Sequence, residues 1–183
     1  MGLTLITPAT DAPITRAEVK VWARISADNT AFDELIDQII PGAVRSIEQY
    51  TGKTFSEQVW RLTLDGFCSV ITLPRGPVTA IDSFTYLDDN GVSRDVLTSV
   101  YVLDLTCSPQ RILLAPNAAW PSYQNRLSVV TVEFRTKLLD DNAAADMKQA
   151  MIMLAAHMFD NPLDGEIPTG IRAKLSPYRD LVI

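Results

Sequence analysis

Residues 32–52, FDELIDQIIPGAVRSIEQYTG, followed after a short polar link by residues 60–64, WRLTL, decide the fold class. In the first stretch Phe32, Leu35, Ile36, Ile39, Ile40, Ala43, Val44, Ile47 and Tyr50 recur at spacings of three and four, the signature of one buried helical stripe. Gly52 then supplies a natural stop, because glycine enters the left-handed conformation that ends helices at little cost. In the second stretch Trp60, Leu62 and Leu64 alternate with Arg61 and Thr63, a period of two, so the chain passes from helix to strand within ten residues. Pro41-Gly42 lies inside the helical stretch, where proline removes one backbone hydrogen bond and crowds the carbonyl of Asp37. The apolar phase continues across it, which predicts one bent helix and not two separate ones.

Upstream, Thr15 and Glu18 have the spacing of a capping box, with Ile14 and Val19 in staple positions, so a first short helix with Val19, Trp22 and Ala23 on its apolar face runs to about Arg24. Ser26 to Thr30 is turn material, and Asn29 or Thr30 is placed to cap the second helix. Downstream, strands are predicted at 69–73, 78–87, 92–97, 100–105, 111–114 and 127–135. Pro74-Arg75-Gly76-Pro77 forms a turn, and Asn90-Gly91 is the signal of a tight hairpin. Helix returns at Asp140-Asp141-Asn142, with Met147, Ala150, Met151, Leu154, Ala155 and Met158 as its stripe, and Asn161-Pro162 ends it. The expected class is α+β: terminal helices forming a small bundle over residues 1–54 and 136–183, with a β region at 55–135 inserted between the second and last long helices.

A chain of 183 residues is long enough to bury a core without disulfides or metal. Cys68 and Cys107 match no zinc or redox spacing and read as free thiols of a reducing compartment. The first ten residues lack the basic start and apolar run of a signal peptide or membrane span, so a cytosolic protein is expected. Net charge −6 argues against general affinity for nucleic acid, while suiting a surface past which DNA must slide.

Catalytic chemistry finds little support. His157 is the single histidine, at the edge of a helical stripe with no nucleophile beside it in sequence. No Walker loop, nucleophile elbow or HExxH pattern occurs. Asp88-Asp89-Asn90 has the look of half a calcium loop, but Tyr86 stands at the first ligand position and no closing glutamate follows. Asp33, Glu34 and Asp37 sit at a helix start, where they answer the dipole. No enzyme activity, cofactor or metal is expected.

Pro13-Ile14-Thr15-Arg16-Ala17-Glu18-Val19-Lys20 with Ala23-Arg24-Ile25, Ser46-Ile47-Glu48-Gln49-Tyr50-Thr51-Gly52-Lys53, Trp60-Arg61-Leu62-Thr63-Leu64-Asp65-Gly66-Phe67, Leu73-Pro74-Arg75-Gly76-Pro77-Val78, Trp120-Pro121, Ile167-Pro168-Thr169-Gly170-Ile171 and Leu175-Ser176-Pro177-Tyr178-Arg179 together resemble, in order and spacing, the head-to-tail connector (adaptor) family of long-tailed phages, whose members are also described as DNA-packaging proteins. Lys53 stands where that pattern has arginine, and Pro41-Gly42 where it is alanine-rich. The resemblance implies a non-enzymatic virion protein of the neck, assembled in host cytoplasm as a homo-oligomeric ring, commonly of twelve subunits. Its partners would be the portal protein and a stopper or tail-completion protein, with DNA passing through the channel without sequence-specific binding and no membrane involved. Another neck component, a stopper or tail-completion protein, and a packaging accessory factor are the alternatives. A portal-docking arm is expected at 170–183, in Ile171, Arg172, Lys174, Leu175, Tyr178, Arg179, Leu181, Val182 and Ile183, the alternative being that the tail packs on its own subunit and Ile171, Leu175 and Tyr178 complete the helical core. That segment follows a polar break, carries a local excess of positive charge, and ends in too few apolar residues for a core of its own.

Overall fold

The computed structural model describes residues 1–138 and 140–180. In chain order the elements are β1 (Gly2–Thr7), α1 (Arg16–Trp22), α2 (Asp33–Thr51), β2 (Gln58–Leu64), β3 (Val70–Thr72), β4 (Val78–Leu87), β5 (Ser93–Asp95), β6 (Tyr101–Asp104), β7 (Arg111–Leu114), β8 (Val130–Thr136), α3 (Asp141–Asp160), α4 (Thr169–Leu175) and a 3-10 turn (Ser176–Tyr178). The chain is α+β, and it divides into a sheet unit holding Met1–Ala9 and Glu57–Lys137 and a helical unit holding Thr10–Ser56 and Leu138–Asp180.

In the helical unit the capping box forms: the Glu18 amide donates to Thr15 Oγ1 at 3.3 Å and the Thr15 amide donates to Glu18 Oε2 at 2.8 Å. Ile14 and Val19 are both buried, so the staple fixes how the chain enters α1. Trp22, expected on the apolar face, is exposed. The start of α2 differs from expectation. Asn29 Oδ1 takes the Ala31 amide in the turn before the helix, the Thr30 carbonyl takes the Asp33 amide, and the cap position falls to Phe32 with no side-chain cap.

α2 runs unbroken through Pro41. Ile36, Ile40, Ala43 and Ile47 are buried, whereas Asp37, Pro41 and Gly42 are exposed, so the carbonyl that proline deprives of a partner lies on the wet face of the helix. Gly52 ends α2 at φ +77°, its amide donating to the Glu48 carbonyl. At the other end Phe32 and Leu35 stay partly exposed, and Phe32 meets Phe159 edge-on at a centroid separation of 5.3 Å.

Asp140 caps α3 by accepting the amides of Asn142 and Ala143. Met147, Ala150, Met151, Leu154 and Ala155 are buried as their spacing predicts. Ala143, Ile152 and Ala156 are buried too, because α3 packs against α1, α2 and α4 at once and a single stripe would be too narrow. Among the described residues no helix is long and apolar enough to cross a membrane.

The sheet unit holds a five-stranded antiparallel sheet ordered β1-β2-β8-β4-β5 and a three-stranded sheet ordered β3-β7-β6. Leu62, Leu64, Ile71, Leu73, Ile112, Val130, Val132 and Phe134 form one core between them. The predicted hairpin closes as expected, with Gly91 at φ +77° and the Asp88 carboxylate accepting the amides of Asn90 and Val92. β1 is the departure. The sequence places residues 1–54 with the helices, yet Gly2–Thr7 pairs antiparallel with β2, from Gly2 opposite Thr63 to Thr7 opposite Val59. The uncharged, β-favouring run GLTLIT finds its backbone partners in the outward edge of β2.

Candidate docking surface

The C-terminal segment is tied to the helical unit residue by residue. Pro168 precedes α4, and the four-residue spacing of Ile171 and Leu175 turns both into the helical core, where they are buried with Met151 and Leu154. The Tyr178 hydroxyl donates to Asp146 Oδ2, Lys174 Nζ lies 3.3 Å from Asp146 Oδ1 and also donates to Gln149, and Arg172 pairs with Glu166 at 3.1 Å. The Arg179 guanidinium covers the Tyr50 ring at 5.3 Å. Lys53 pairs with Asp180 at 2.8 Å, and the Asp180 amide donates to the Thr51 carbonyl, which fastens the segment beside the end of α2. A side chain on Gly52 would meet Asp180 Cβ at 3.2 Å.

Hydrogen bonding sets the electrostatics of this surface. The Tyr178 hydroxyl, and after it Lys174, hold the Asp146 carboxyl below its ordinary value, and the same carboxylate pushes Tyr178 upward. Of the nine residues expected to dock, Ile171 and Leu175 face the core. Arg172, Lys174, Tyr178 and Arg179 lie at the surface, each engaged with its own unit. Leu181, Val182 and Ile183 fall outside the described residues.

The remaining candidates resolve into local structure. His157 Nε2 lies 3.0 Å from Asp164 Oδ2, and its Nδ1 lies 3.2 Å from Asn161, so the imidazole clasps the turn that follows α3. The same turn lifts Leu163 fully into solvent, and no apolar periodicity marks that residue in the sequence. Asp88, besides its two amides, takes Arg94 Nε at 3.0 Å, which accounts for the carboxylate without a metal ion; the Val92 amide, and after it Arg94, hold it below the usual range. Among the described residues no group of three His, Cys, Asp or Glu side chains could hold a metal ion. Acidity is uneven: the helical unit holds fourteen Asp and Glu against nine Lys and Arg, whereas the sheet unit holds eight against seven.

No protein-family model matches the chain, and no curated protein matches it. Solved structures do. A chain from the neck of an empty gene transfer agent (GTA) particle computed with C6 symmetry aligns over 100% of this chain and 97% of its own, at 23% identity and TM-score 0.81. A chain from the virion of a native GTA particle aligns over the same shares at 24% identity and TM-score 0.79. One from the neck of a native GTA particle computed with C12 symmetry does so at 22% identity and TM-score 0.76. At these identities the likeness establishes the fold, shared from one end of the chain to the other.

Proposed function

We propose that this chain is a structural protein of the neck of a tailed-phage-like particle, an adaptor that forms a ring beneath the portal and receives the next neck or tail component. The observation that carries this reading is the end-to-end likeness to neck chains, covering the whole of this chain and 97% of the first neighbour. The neck structures in which those neighbours occur were computed with sixfold and twelvefold symmetry, which favours a closed cyclic arrangement here, commonly of twelve subunits. The action of such a protein is binding and geometry, with no bond made or broken. Concentrated acidity in the helical unit suits a passage that DNA crosses without sticking, since phosphates find no cationic row to hold them.

The C-terminal segment is the proposed portal contact. Ile171 and Leu175 anchor it, while Arg172, Lys174 and Arg179 lie at its surface, where a partner's carboxylates would compete with Glu166 and Asp146 for the first two. Deleting the gene from a particle-producing genome tests the reading by electron microscopy. DNA-filled heads with a bare portal and no tail are expected, restored to tail-joining by added purified protein. Complete tailed particles would refute it. Heads that retain another ring on the portal would instead assign the chain as a stopper or tail-completion protein.

A further inference from the structure

We infer that the ring closes by strand pairing, with the free edge of β1 in one copy taking the free edge of β6 in the next; this rests on the ring reading above. β1 ends the five-stranded sheet, and among the described residues β2 is its one partner strand and no other backbone group pairs with its outward row of amides and carbonyls. Natural sheets guard such edges with charge, proline or shortness. β5, at the other end of the same sheet, is guarded in this way: three residues, Ser93-Arg94-Asp95, all exposed and two of them charged. β1 has no such protection. Its six residues, GLTLIT, carry no charge and no proline, and Leu5 and Ile6 are each 40% exposed. Its register shifts between Leu5 and Thr7, which leaves Gly2 to Leu5 as the regular open run of four residues.

A second open edge has the matching length. β6 ends the three-stranded sheet with four residues, Tyr101–Asp104, against three for β3 at its other side. Val102 is 47% exposed and Leu105, just beyond, 48%. Asp104, the one charge on β6, is already held by Thr106 and Arg111, so it does not act as a guard. Position completes the case. Tyr101 packs edge-on against Phe84 of β4 at 5.2 Å, which sets β6 against β4, three strands from β1 in the order of the large sheet. A head-to-tail contact needs two different complementary surfaces facing apart on one copy, and these two edges meet that condition. Pairing of β1 with β1 would give a two-fold dimer and stop.

The test uses the full chain with Leu5→Lys and Val102→Lys, each placing a charge on an exposed edge position, with circular dichroism confirming the fold. Native mass spectrometry and light scattering read the assembly. The wild-type chain is expected to form rings, and each variant to require at least about tenfold more protein for any assembly. Mixed in equal amounts, the two variants retain one good β1 edge and one good β6 edge between them, so dimers are expected that grow no further. With Cys68→Ser and Cys107→Ser in place, Leu5→Cys with Val102→Cys is expected to give disulfide-linked ladders. Rings from either lysine variant at wild-type concentrations would overturn strand pairing while leaving the ring reading intact. So would a covalent dimer from Leu5→Cys alone. A wild-type chain that stays monomeric at every concentration would overturn the ring reading itself.

Discussion

The Tyr178 hydroxyl donates to the Asp146 carboxylate, and this contact fastens the last turn of the chain to α3, thirty-two residues earlier. The pair makes the anchoring of the C-terminal segment depend on pH at both ends. Asp146 titrates below its ordinary 3.8, so its contribution is whole above that pH and is lost as pH falls through the lower folded value. Tyr178 titrates above its ordinary 10.0, so its contribution is whole below pH 10 and is lost as pH rises through the higher folded value. Tyr178→Phe is therefore expected to lower the melting temperature near pH 7, and the gap from wild type to close both in strong acid and well above pH 10. Thermal melts across pH check this. A constant gap would show that the hydroxyl matters through packing and not through Asp146.

Lys20 is the buried cation of the helical unit. Its ammonium lies 2.5 Å from Asp33 Oδ1 and donates to the carbonyls of Asn29 at 2.8 Å and Ala27 at 3.3 Å, so one side chain closes the loop between α1 and α2. Lys20→Ala strands these acceptors and is expected to cost about 2 kcal/mol in denaturant unfolding. Lys20, and after it Arg16, hold Asp33 below the usual carboxylate range. That stabilisation is present above about pH 4 and fades as pH falls through the lower folded value, so part of the cost of Lys20→Ala should vanish in acid.

Pro41 offers a stabilising substitution. α2 is continuous through it, and both Pro41 and Asp37 are exposed, so alanine at 41 meets no neighbour in the core and restores the amide that Asp37 lacks. Pro41→Ala is expected to raise stability by about 1 to 3 kcal/mol. Loss of stability on denaturant unfolding would mean that the proline has a role beyond tolerance.

What could be read in advance divides along the range of the interactions. Thr15 with Glu18, Gly52, and Asn90-Gly91 each act within a few residues, and all three behave as their chemistry predicts. The stripes of α2 and α3 were legible because burial repeats with the helical period. β1 was not, since its partner β2 lies some fifty-five residues away and the short uncharged run before Pro8 carries no turn signal tying it to that partner. The cap of α2 falls at Phe32, later than the expected Asn29 or Thr30, and the Asn29 side chain is used by the Ala31 amide in the turn instead. In the C-terminal segment the sequence leaves open whether Ile171 and Leu175 meet a partner or complete the helical core, because an apolar pair four residues apart does not say which core it enters.

The core that Ile171 and Leu175 enter settles what truncation does and separates anchoring from docking. Both are buried in the helical unit, so removing residues 171–183 strips two core side chains, and Leu175→Ala alone is expected to cost about 3 kcal/mol. Loss of head joining by such variants would therefore say little about the portal. Arg172 and Arg179 separate the two roles, because Arg172 reaches an exposed partner, Glu166, and Arg179 lies over a ring and not in a buried pair. Arg172→Glu combined with Arg179→Glu is expected to leave the melting temperature near wild type while abolishing attachment to DNA-filled heads, scored by co-sedimentation. Attachment at wild-type yield by this folded double variant would remove the C-terminal segment from the portal interface.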